Sequence, residues 1–150
     1  MMFRGLYEYT IDPKGRVNVP APFRDLVQKA GQESLIITKF QECLHVFPLE
    51  EWSRIEEKLA AVPATDLQLA PFVRSYGGSA TEVFFDKQGR ILVPPSLRNF
   101  AGLEKDVAII GMQRRFEIWS RERCEDSWAR FEKELATNPE LSKRIGELGI

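Results

Sequence analysis

Two short segments combine an acid, a glycine and basic side chains at a spacing suited to nucleic-acid contact. Residues 12–16 read DPKGR, and residues 86–90 read DKQGR, 74 positions further along. Both segments therefore have the pattern D-x-x-G-R with a lysine inside it. Lysine and arginine displayed together on a short loop are suited to phosphate oxygens and base edges. The two segments are the first candidates for a binding site.

An aspartate at the first position and a glycine at the fourth are residues that a type I turn prefers, and Pro13 presets φ. We therefore expect Asp12 with Gly15, and Asp86 with Gly89, to form two tight hairpin turns. In the simpler interpretation, these residues only make a turn and the arginine only pairs with the aspartate. Two copies in register, each with a lysine in the turn and an arginine after it, favour contacts with DNA.

The cations of the two turns, Lys14, Arg16, Lys87 and Arg90, are the candidate DNA contacts. Arg16 begins the strand that returns from the turn, so its long side chain can still reach past the tip. Its planar guanidinium can make two hydrogen bonds to guanine, whereas the flexible ammonium of Lys14 is better suited to phosphate. We expect Arg16 to contribute most to specificity. In the competing interpretation, Arg16 is the structural partner of Asp12.

The flanks of the two segments are repeated as well, which indicates an internal duplication. A β-type run lies on each side of each turn, and prolines then introduce a short helix that ends at a glycine, at about 23–30 and 96–101. Two further strands and a longer helix follow in each copy. A Gly-Gly pair marks the boundary between the repeats, residues 1–76 and 77–150.

A four-stranded repeat of this size cannot cover the edges of its own sheet. Two copies paired about a pseudo-twofold axis would bury those edges in a closed barrel and relate the two turns by that axis. The predicted fold class is α+β and β-rich, a duplicated β-barrel with short helices and a longer helix after each repeat.

The longer helices carry apolar residues on one face at a 3.6-residue period. We expect their tryptophans to anchor helix to sheet in the core; the alternative is a partner-binding groove. Phe72 and Tyr76, in a second helical stretch, have no obvious place in a single barrel. The periodic positions are Leu49, Trp52, Ile55, Leu59 and Val62 in the first helix, and Cys124, Trp128, Phe131 and Leu135 in the second.

The composition is that of a soluble protein, and the sequence suggests no enzymatic, metal or cofactor site. The 150 residues include no apolar run long enough for a membrane span and no signal-peptide pattern, so we expect a cytoplasmic protein. Cys43 and Cys124 lack metal-site spacing and are expected to be buried thiols. The single histidine, His45, is expected at a surface or interface. Neither a catalytic triad nor a phosphate-binding glycine loop is recognisable.

The net charge of −1 argues against nucleic acid until its distribution is considered. Residues 1–40 carry six cations and four acids, and residues 71–123 carry nine and six. Residues 41–70 carry two cations and six acids, and residues 124–150 carry four cations and six acids. The excess positive charge thus lies in the segments that contain the turns, and the excess of acids lies in the predicted helices.

With these features the sequence resembles the MraZ family of bacterial transcriptional regulators, which are related to the swapped-hairpin proteins AbrB and SpoVT. The similarity extends nearly from end to end. It rests on the two D-x-x-G-R segments, the VP and Arg24 that follow the first, MFRG at 2–5, FPLEEW at 47–52 and FEIW at 116–119. The order of these pieces and their duplication are specific to the family.

The resemblance implies a swapped-hairpin barrel made from both halves of the chain, and assembly of chains into a closed ring. It also implies a nucleoid-associated regulator that binds short direct repeats of double-stranded DNA in the promoter of division and cell-wall genes. Arg4 and Arg24 join the candidate DNA contacts on this ground. Gln88 replaces a cation or small residue, so we expect the second turn to contact DNA less.

Two other functions stay open. The barrel could be an assembly module whose basic turns contact subunits or other proteins, and salt-dependent binding to DNA distinguishes the two cases. An antitoxin-like protein would use its tail to cover a toxin. The tail from Pro139 is short and amphipathic, which fits helix packing better than a long inhibitory arm.

Overall fold

The structure, a computed structural model, describes residues 2–150. No helix in this range is both long and apolar enough to cross a membrane. The strands are β1 (Leu6–Thr10), β2 (Arg16–Asn18), β3 (Ser34–Phe40), β4 (Cys43–Pro48), β5 (Thr81–Phe84), β6 (Arg90–Leu92), β7 (Asp106–Met112) and β8 (Arg115–Ser120). The helices are α1 (Ala21–Lys29), α2 (Leu49–Ala60), α3 (Ala70–Phe72), which continues into a π-helical turn (Val73–Gly77), α4 (Pro95–Ala101), α5 (Arg121–Thr137) and α6 (Pro139–Gly146).

The two repeats exchange strands. Six strands form one antiparallel sheet in the order β1-β7-β8-β4-β3-β5, and β2 pairs with β6 in a separate two-stranded ribbon. β1 of the first repeat therefore pairs with β7 of the second, and β5 of the second pairs with β3 of the first. β4 and β8 pair across the middle. This is a duplicated swapped-hairpin fold of the α+β class, which confirms the predicted fold class.

One hydrophobic core lies between the sheet and the ribbon. Val17 and Ile91 are buried at the centres of the two ribbon strands, while the residues on either side of them are exposed or half-buried. Phe23 of α1 packs on Phe3 and Phe116, with ring centroids 5.1 and 5.2 Å apart. Among the described strands, β1 and β5 are the ends of the hydrogen-bonded sheet. These two strands do not pair with each other, so the sheet does not close on itself. The β2–β6 ribbon covers the core instead.

The two long helices differ in how they meet the sheet. Trp52 of α2 is buried against Phe47 and Tyr76, which confirms it as a core anchor. Trp128 of α5 is 47% exposed, so the expectation that it anchors this helix in the core is wrong, and Phe131, on the same face, is 44% exposed. α5 has 17 residues, a length of about 25 Å. Its buried residue, Cys124, is in the first turn, and the apolar residues further along remain in contact with solvent.

His45 is buried at the centre of the sheet, which corrects its expected position at a surface. All residues of β4 are buried, so alternation along this strand does not mark a solvent-facing side. His45 is 5% exposed, and its Nδ1 lies 2.7 Å from the hydroxyl of Tyr76. Tyr76, on the π-helical turn, also belongs to the core, contrary to expectation, because it covers the outer face of β4.

His45 pairs with Glu117 on the pseudo-twofold axis. Each is the third residue of its strand, and the two are direct partners in the ladder between β4 and β8. Nε2 of His45 lies 3.2 Å from a Glu117 oxygen; the ionised carboxylate only accepts, so Nε2 carries the hydrogen. Arg115 and Trp119 also donate to Glu117, at 3.1 and 2.9 Å. Burial raises the pKa of Glu117, but these hydrogen bonds outweigh burial and lower the pKa to about 2.

The depressed pKa of Glu117 predicts how stability changes with pH. Because the folded-state pKa of about 2 is below the ordinary value of 4.5, the ionised carboxylate stabilises the fold above pH 4.5, and this contribution is lost as pH falls towards 2. Glu117→Gln removes the charge. We expect the difference in unfolding free energy between wild type and variant to be about 3 kcal/mol larger near pH 6 than near pH 2. Urea denaturation at both pH values measures it.

Glu104→Gln is the matched control, because it makes the same change of charge on an exposed loop before β7. A constant difference between wild type and Glu117→Gln across this pH range would contradict the predicted role of the pair.

Candidate nucleic-acid interface

Each D-x-x-G-R segment is a hydrogen-bonded turn arranged around its aspartate. In the first turn, one oxygen of Asp12 accepts from the backbone N–H of Lys14 at 3.0 Å and of Arg16 at 2.8 Å. The other oxygen accepts from Nε of Arg16 at 2.5 Å, and the N–H of Gly15 donates to the Asp12 carbonyl at 2.9 Å. The second turn repeats all of these bonds around Asp86. The two turns therefore have the same internal geometry.

Each aspartate binds the Nε of its arginine and so fixes one side of the guanidinium. The backbone N–H of Arg16 and then its guanidinium lower the pKa of Asp12, and Arg90 has the same effect on Asp86, so both carboxylates stay ionised well into the acidic range. Within residues 2–150, the terminal nitrogens Nη1 and Nη2 of Arg16 have no hydrogen-bond acceptor. A guanidinium fixed through Nε can still offer those two nitrogens to guanine or to phosphate.

The first turn is also held by the second repeat. The carbonyl of Gly15 accepts from the N–H of Val93 at 2.8 Å, and the carbonyl of Pro13 accepts from Nη1 of Arg98 at 3.1 Å. Sequence reasoning missed Arg98, although a signal was available, because it stands 74 positions after Arg24 in the duplicated pattern.

The second turn is held by the equivalent residues of the first repeat. The carbonyl of Gly89 accepts from the N–H of Val19 at 3.2 Å, and the carbonyl of Gln88 accepts from Nη1 of Arg24 at 3.4 Å. Arg24 therefore has a structural partner in the other repeat, a role that its assignment as a DNA contact did not anticipate. Each turn depends on both halves of the chain.

Both turn glycines are required by their conformation and by close neighbours. Gly15 and Gly89 have φ values of 94° and 75°, in the left-handed region that side chains disfavour. A Cβ on Gly15 would lie 3.0 Å from the carbonyl oxygen of Val93, and one on Gly89 would lie 1.6 Å from Nη1 of Arg24. The glycine of the motif thus makes room for the other repeat as well as for the turn.

The ribbon brings the arginines of the two turns onto one surface. Arg16, Asn18, Arg90 and Leu92 alternate with the buried centres of β2 and β6, so they face away from the core; we call them the outer ribbon face. Nη1 of Arg90 lies 4.0 Å from the carboxylate of Asp12, so the second arginine reaches across towards the first turn. Sequence reasoning missed Asn18 and Leu92, whose outward direction follows from strand alternation.

The remaining candidate cations are divided between this surface and another. Lys14 and Lys87 are exposed in the two turns, beside the outer ribbon face. Arg4 precedes β1 at the end away from the first turn, about 26 Å distant along an extended chain, and its backbone lies against Gly111 of β7. The structure therefore brings together the turn cations but places Arg4 elsewhere.

Cys43, His45 and Glu117 are a potential donor set for a metal, with ligand atoms that lie within 4.8 Å of one another. Both imidazole nitrogens and both carboxylate oxygens already have protein partners, and Arg115 adds a positive charge. Burial raises the pKa of the Cys43 thiol, which stays protonated and donates to the carbonyl of Phe40 at 3.7 Å. This arrangement connects the two repeats through hydrogen bonds and does not favour a cation.

The fold and this surface define a class of duplicated swapped-hairpin proteins that display two basic turns on one ribbon. A family model described as "MraZ protein, putative antitoxin-like" matches residues 2–72 and 77–144. The chain therefore belongs to the MraZ family.

Proteins named "Transcriptional regulator MraZ" resemble the chain over nearly its whole length. The protein from Acetivibrio thermocellus is 42% identical over 149 residues, which cover 99% of this chain and 100% of the relative. The one from Thermus thermophilus is 45% identical over 148 residues, covering 97% and 98%. The one from Heliobacterium modesticaldum is 47% identical over 140 residues, covering 93% and 92%.

Gly89→Ala should destabilise the protein more than Gly31→Ala. The two glycines have nearly the same φ, 75° and 77°, so the two substitutions impose similar backbone strain. A Cβ at position 31 meets nothing within 4 Å, whereas one at position 89 must displace Arg24. We expect Gly89→Ala to lower the melting temperature by about 4 °C more, equivalent to about 1 kcal/mol. Thermal denaturation followed by circular dichroism measures the difference.

The same comparison in an Arg24→Ala background isolates the cause. Without the guanidinium, the excess effect of Gly89→Ala over Gly31→Ala should disappear. An excess that persists unchanged would show that Arg24 does not impose the requirement for glycine.

Proposed function

We propose that this protein is a sequence-specific transcriptional regulator that binds double-stranded DNA through its two turns and the outer ribbon face. The observation that carries the proposal is the convergence of Lys14, Arg16, Lys87 and Arg90 on one exposed surface. The names of the relatives support it. Its expected targets are short promoter repeats near division and cell-wall genes, as the family resemblance implies, and its expected location is the nucleoid in the cytoplasm.

The distribution of charge supports DNA binding by a chain whose net charge is −1. The four turn cations, with Arg24 and Arg98 behind them, outnumber the carboxylates of Asp12 and Asp86. The acid-rich helices α2 and α5 pack against strands of the sheet. Trp52 of α2 packs with Phe47 and Tyr76 in a second apolar cluster, which is separate from the core under the ribbon. Nine of the chain's 22 acids lie on α2 and α5 and none lies in the ribbon strands β2 and β6, which favours a locally positive field at the ribbon.

The shape of the surface suits the major groove. A two-stranded antiparallel ribbon is among the elements that this groove admits, since it is about 12 Å wide. Arg16 and Arg90 point outward from such a ribbon and are oriented by Asp12 and Asp86. An arginine whose position is fixed before binding loses less side-chain entropy when it pairs with a base. The lysines in the turns are then placed to contact the flanking phosphates.

Arg16→Ala should lower affinity for a DNA fragment of the protein's own upstream region by about tenfold, because a bidentate contact to guanine provides about 1–3 kcal/mol of discrimination. It should also reduce the preference for this fragment over random DNA of equal length. Lys14→Ala should weaken binding to both fragments similarly and reduce the salt slope by about one unit. Fluorescence anisotropy at several salt concentrations measures both effects.

Two controls separate recognition from folding. Arg16→Lys keeps the charge but not the planar fork, so it should lose the preference and keep most of the non-specific binding. Lys143→Ala removes a cation on α6 and should leave both affinities unchanged. An Arg16→Ala protein that melts like the wild type and retains its preference would refute the recognition role.

We further propose that chains assemble into a closed ring through contacts between α5 of one chain and a groove of the next. The groove, of about 270 Å³, lies between Phe40, Ile55, Leu59, Phe72 and Tyr76 in the first repeat. On α5, in the second repeat, two half-exposed aromatic side chains lie one turn apart, Trp128 and Phe131.

The two unlike surfaces lie on opposite sides of the pseudo-twofold axis, which favours a head-to-tail contact between chains. α2 packs on β3 and β4, α5 packs on β7 and β8, and the axis passes between β4 and β8. Each chain thus has a groove on one side of the axis and an aromatic helix on the other. Such a heterologous contact leaves one unsatisfied surface at each end of a row of chains, and a closed ring satisfies all of them.

A substitution on either surface should abolish assembly, and mixing the two variants should restore one contact. Trp128→Glu alters the helix and Phe72→Glu alters the groove, and each should convert the oligomer to monomer. Mixed together, the two variants should form dimers and nothing larger, since each pair contains one intact contact. Light scattering after size exclusion measures the masses. A wild type that is monomeric at micromolar concentration, or variants that never pair, would contradict the head-to-tail ring.

A further inference from the structure

A leucine is exposed at the centre of the proposed DNA surface. Leu92 is 53% exposed on the outer ribbon face and lies directly opposite Arg16 in the pairing of β2 with β6. At the equivalent position of the first repeat, Asn18 lies directly opposite Arg90. The outer ribbon face therefore consists of two unlike pairs, an arginine beside a leucine and an arginine beside an asparagine.

Packing within the chain does not explain this leucine. The apolar residues that attach the ribbon to the core are Val17 and Ile91, which face in the opposite direction. Asn18 shows that a polar residue fits the same backbone position in the other repeat. Leu92 is thus an apolar side chain among cations, at a place where the fold accepts a polar one.

We propose that Leu92 is a specificity residue that contacts the C5 methyl group of a thymine next to the base contacted by Arg16. The inference rests on the proposed function. Directly opposite residues of an antiparallel pair have Cβ atoms about 4.5–5.5 Å apart, a distance between one base step of about 3.4 Å and two base steps of about 6.8 Å. Neighbouring side chains on the ribbon can therefore reach neighbouring base pairs.

The chemistry of the major groove selects the base for each side chain. The thymine methyl group is an apolar feature of that groove and is contacted by apolar side chains, whereas asparagine pairs with the N6 and N7 positions of adenine. Leu92 and Asn18 therefore read different bases beside Arg16 and Arg90. The DNA site that this ribbon recognises is consequently asymmetric, although the fold that presents it has a pseudo-twofold axis.

Replacing single thymines by deoxyuridine tests the contact, because this change removes the methyl group and leaves base pairing intact. The probe is the upstream fragment, with replacements made one at a time across the segment protected in a footprint. In wild type, we expect deoxyuridine at one position to weaken binding about fourfold, the value of one buried methyl group. In Leu92→Asn, which installs the residue of the other repeat, the penalty at that position should vanish. Leu92→Met should keep it, because methionine is apolar.

The outcomes separate this inference from the function on which it rests. If the wild-type protein showed no salt-dependent binding to any DNA fragment, the proposed function itself would be refuted. Specific binding with no penalty at any thymine, or a penalty that is the same in wild type and Leu92→Asn at every position, would refute the role of Leu92 alone. Equal melting temperatures of the three proteins confirm that the variants are folded.

Discussion

The structure depends on the exchange of strands between the two repeats, and the turns depend on it most directly. The carbonyl of Gly15 is bound by Val93, and the carbonyl of Gly89 is bound by Val19, so neither turn is complete within its own half of the chain. Buried donors and acceptors without partners are costly, and each half alone would leave such groups and two sheet edges open. The basic surface therefore forms only when the whole core has formed, which would couple stability to the proposed recognition of DNA.

Duplication within one chain also allows positions related by the axis to diverge. In a dimer of identical chains, a residue on the axis would meet its own copy, so a histidine would face a histidine. Here His45 faces Glu117, and the pair carries complementary hydrogen-bonding groups in a buried place where two like groups would be poorly satisfied. The same freedom gives the outer ribbon face its unlike residues, Asn18 and Leu92. An asymmetric surface is thus compatible with a nearly symmetric scaffold.

Local chemistry made the turns predictable from the sequence, and the family resemblance implied the exchange of strands, whereas individual long-range contacts were not predictable. The D-x-x-G-R pattern carries its own hydrogen-bonding logic, and the problem of open edges implied that the halves pair. The burial of His45 was missed because strand alternation cannot show that Tyr76, 31 residues later, covers the second face of β4. The contact of Arg24 with Gln88 spans 64 residues. The 3.6-residue spacing of apolar residues in α5 predicted an apolar face. It could not show whether Trp128 on that face packs against its own chain, and the side chain is half-exposed.

The proposed ring explains how a modest basic surface can select a promoter. One ribbon offers few phosphate contacts, and the affinity of each contact falls as salt rises. Ribbons attached to the proposed ring would bind successive DNA repeats as linked events. The effective concentration of the second ribbon would then be set by geometry, and affinity would multiply without new contacts. Such multiplication requires that the spacing of DNA repeats match the spacing of ribbons. Because the outer ribbon face is asymmetric, repeats in the same orientation present the same bases to each ribbon around a head-to-tail ring, and inverted repeats do not.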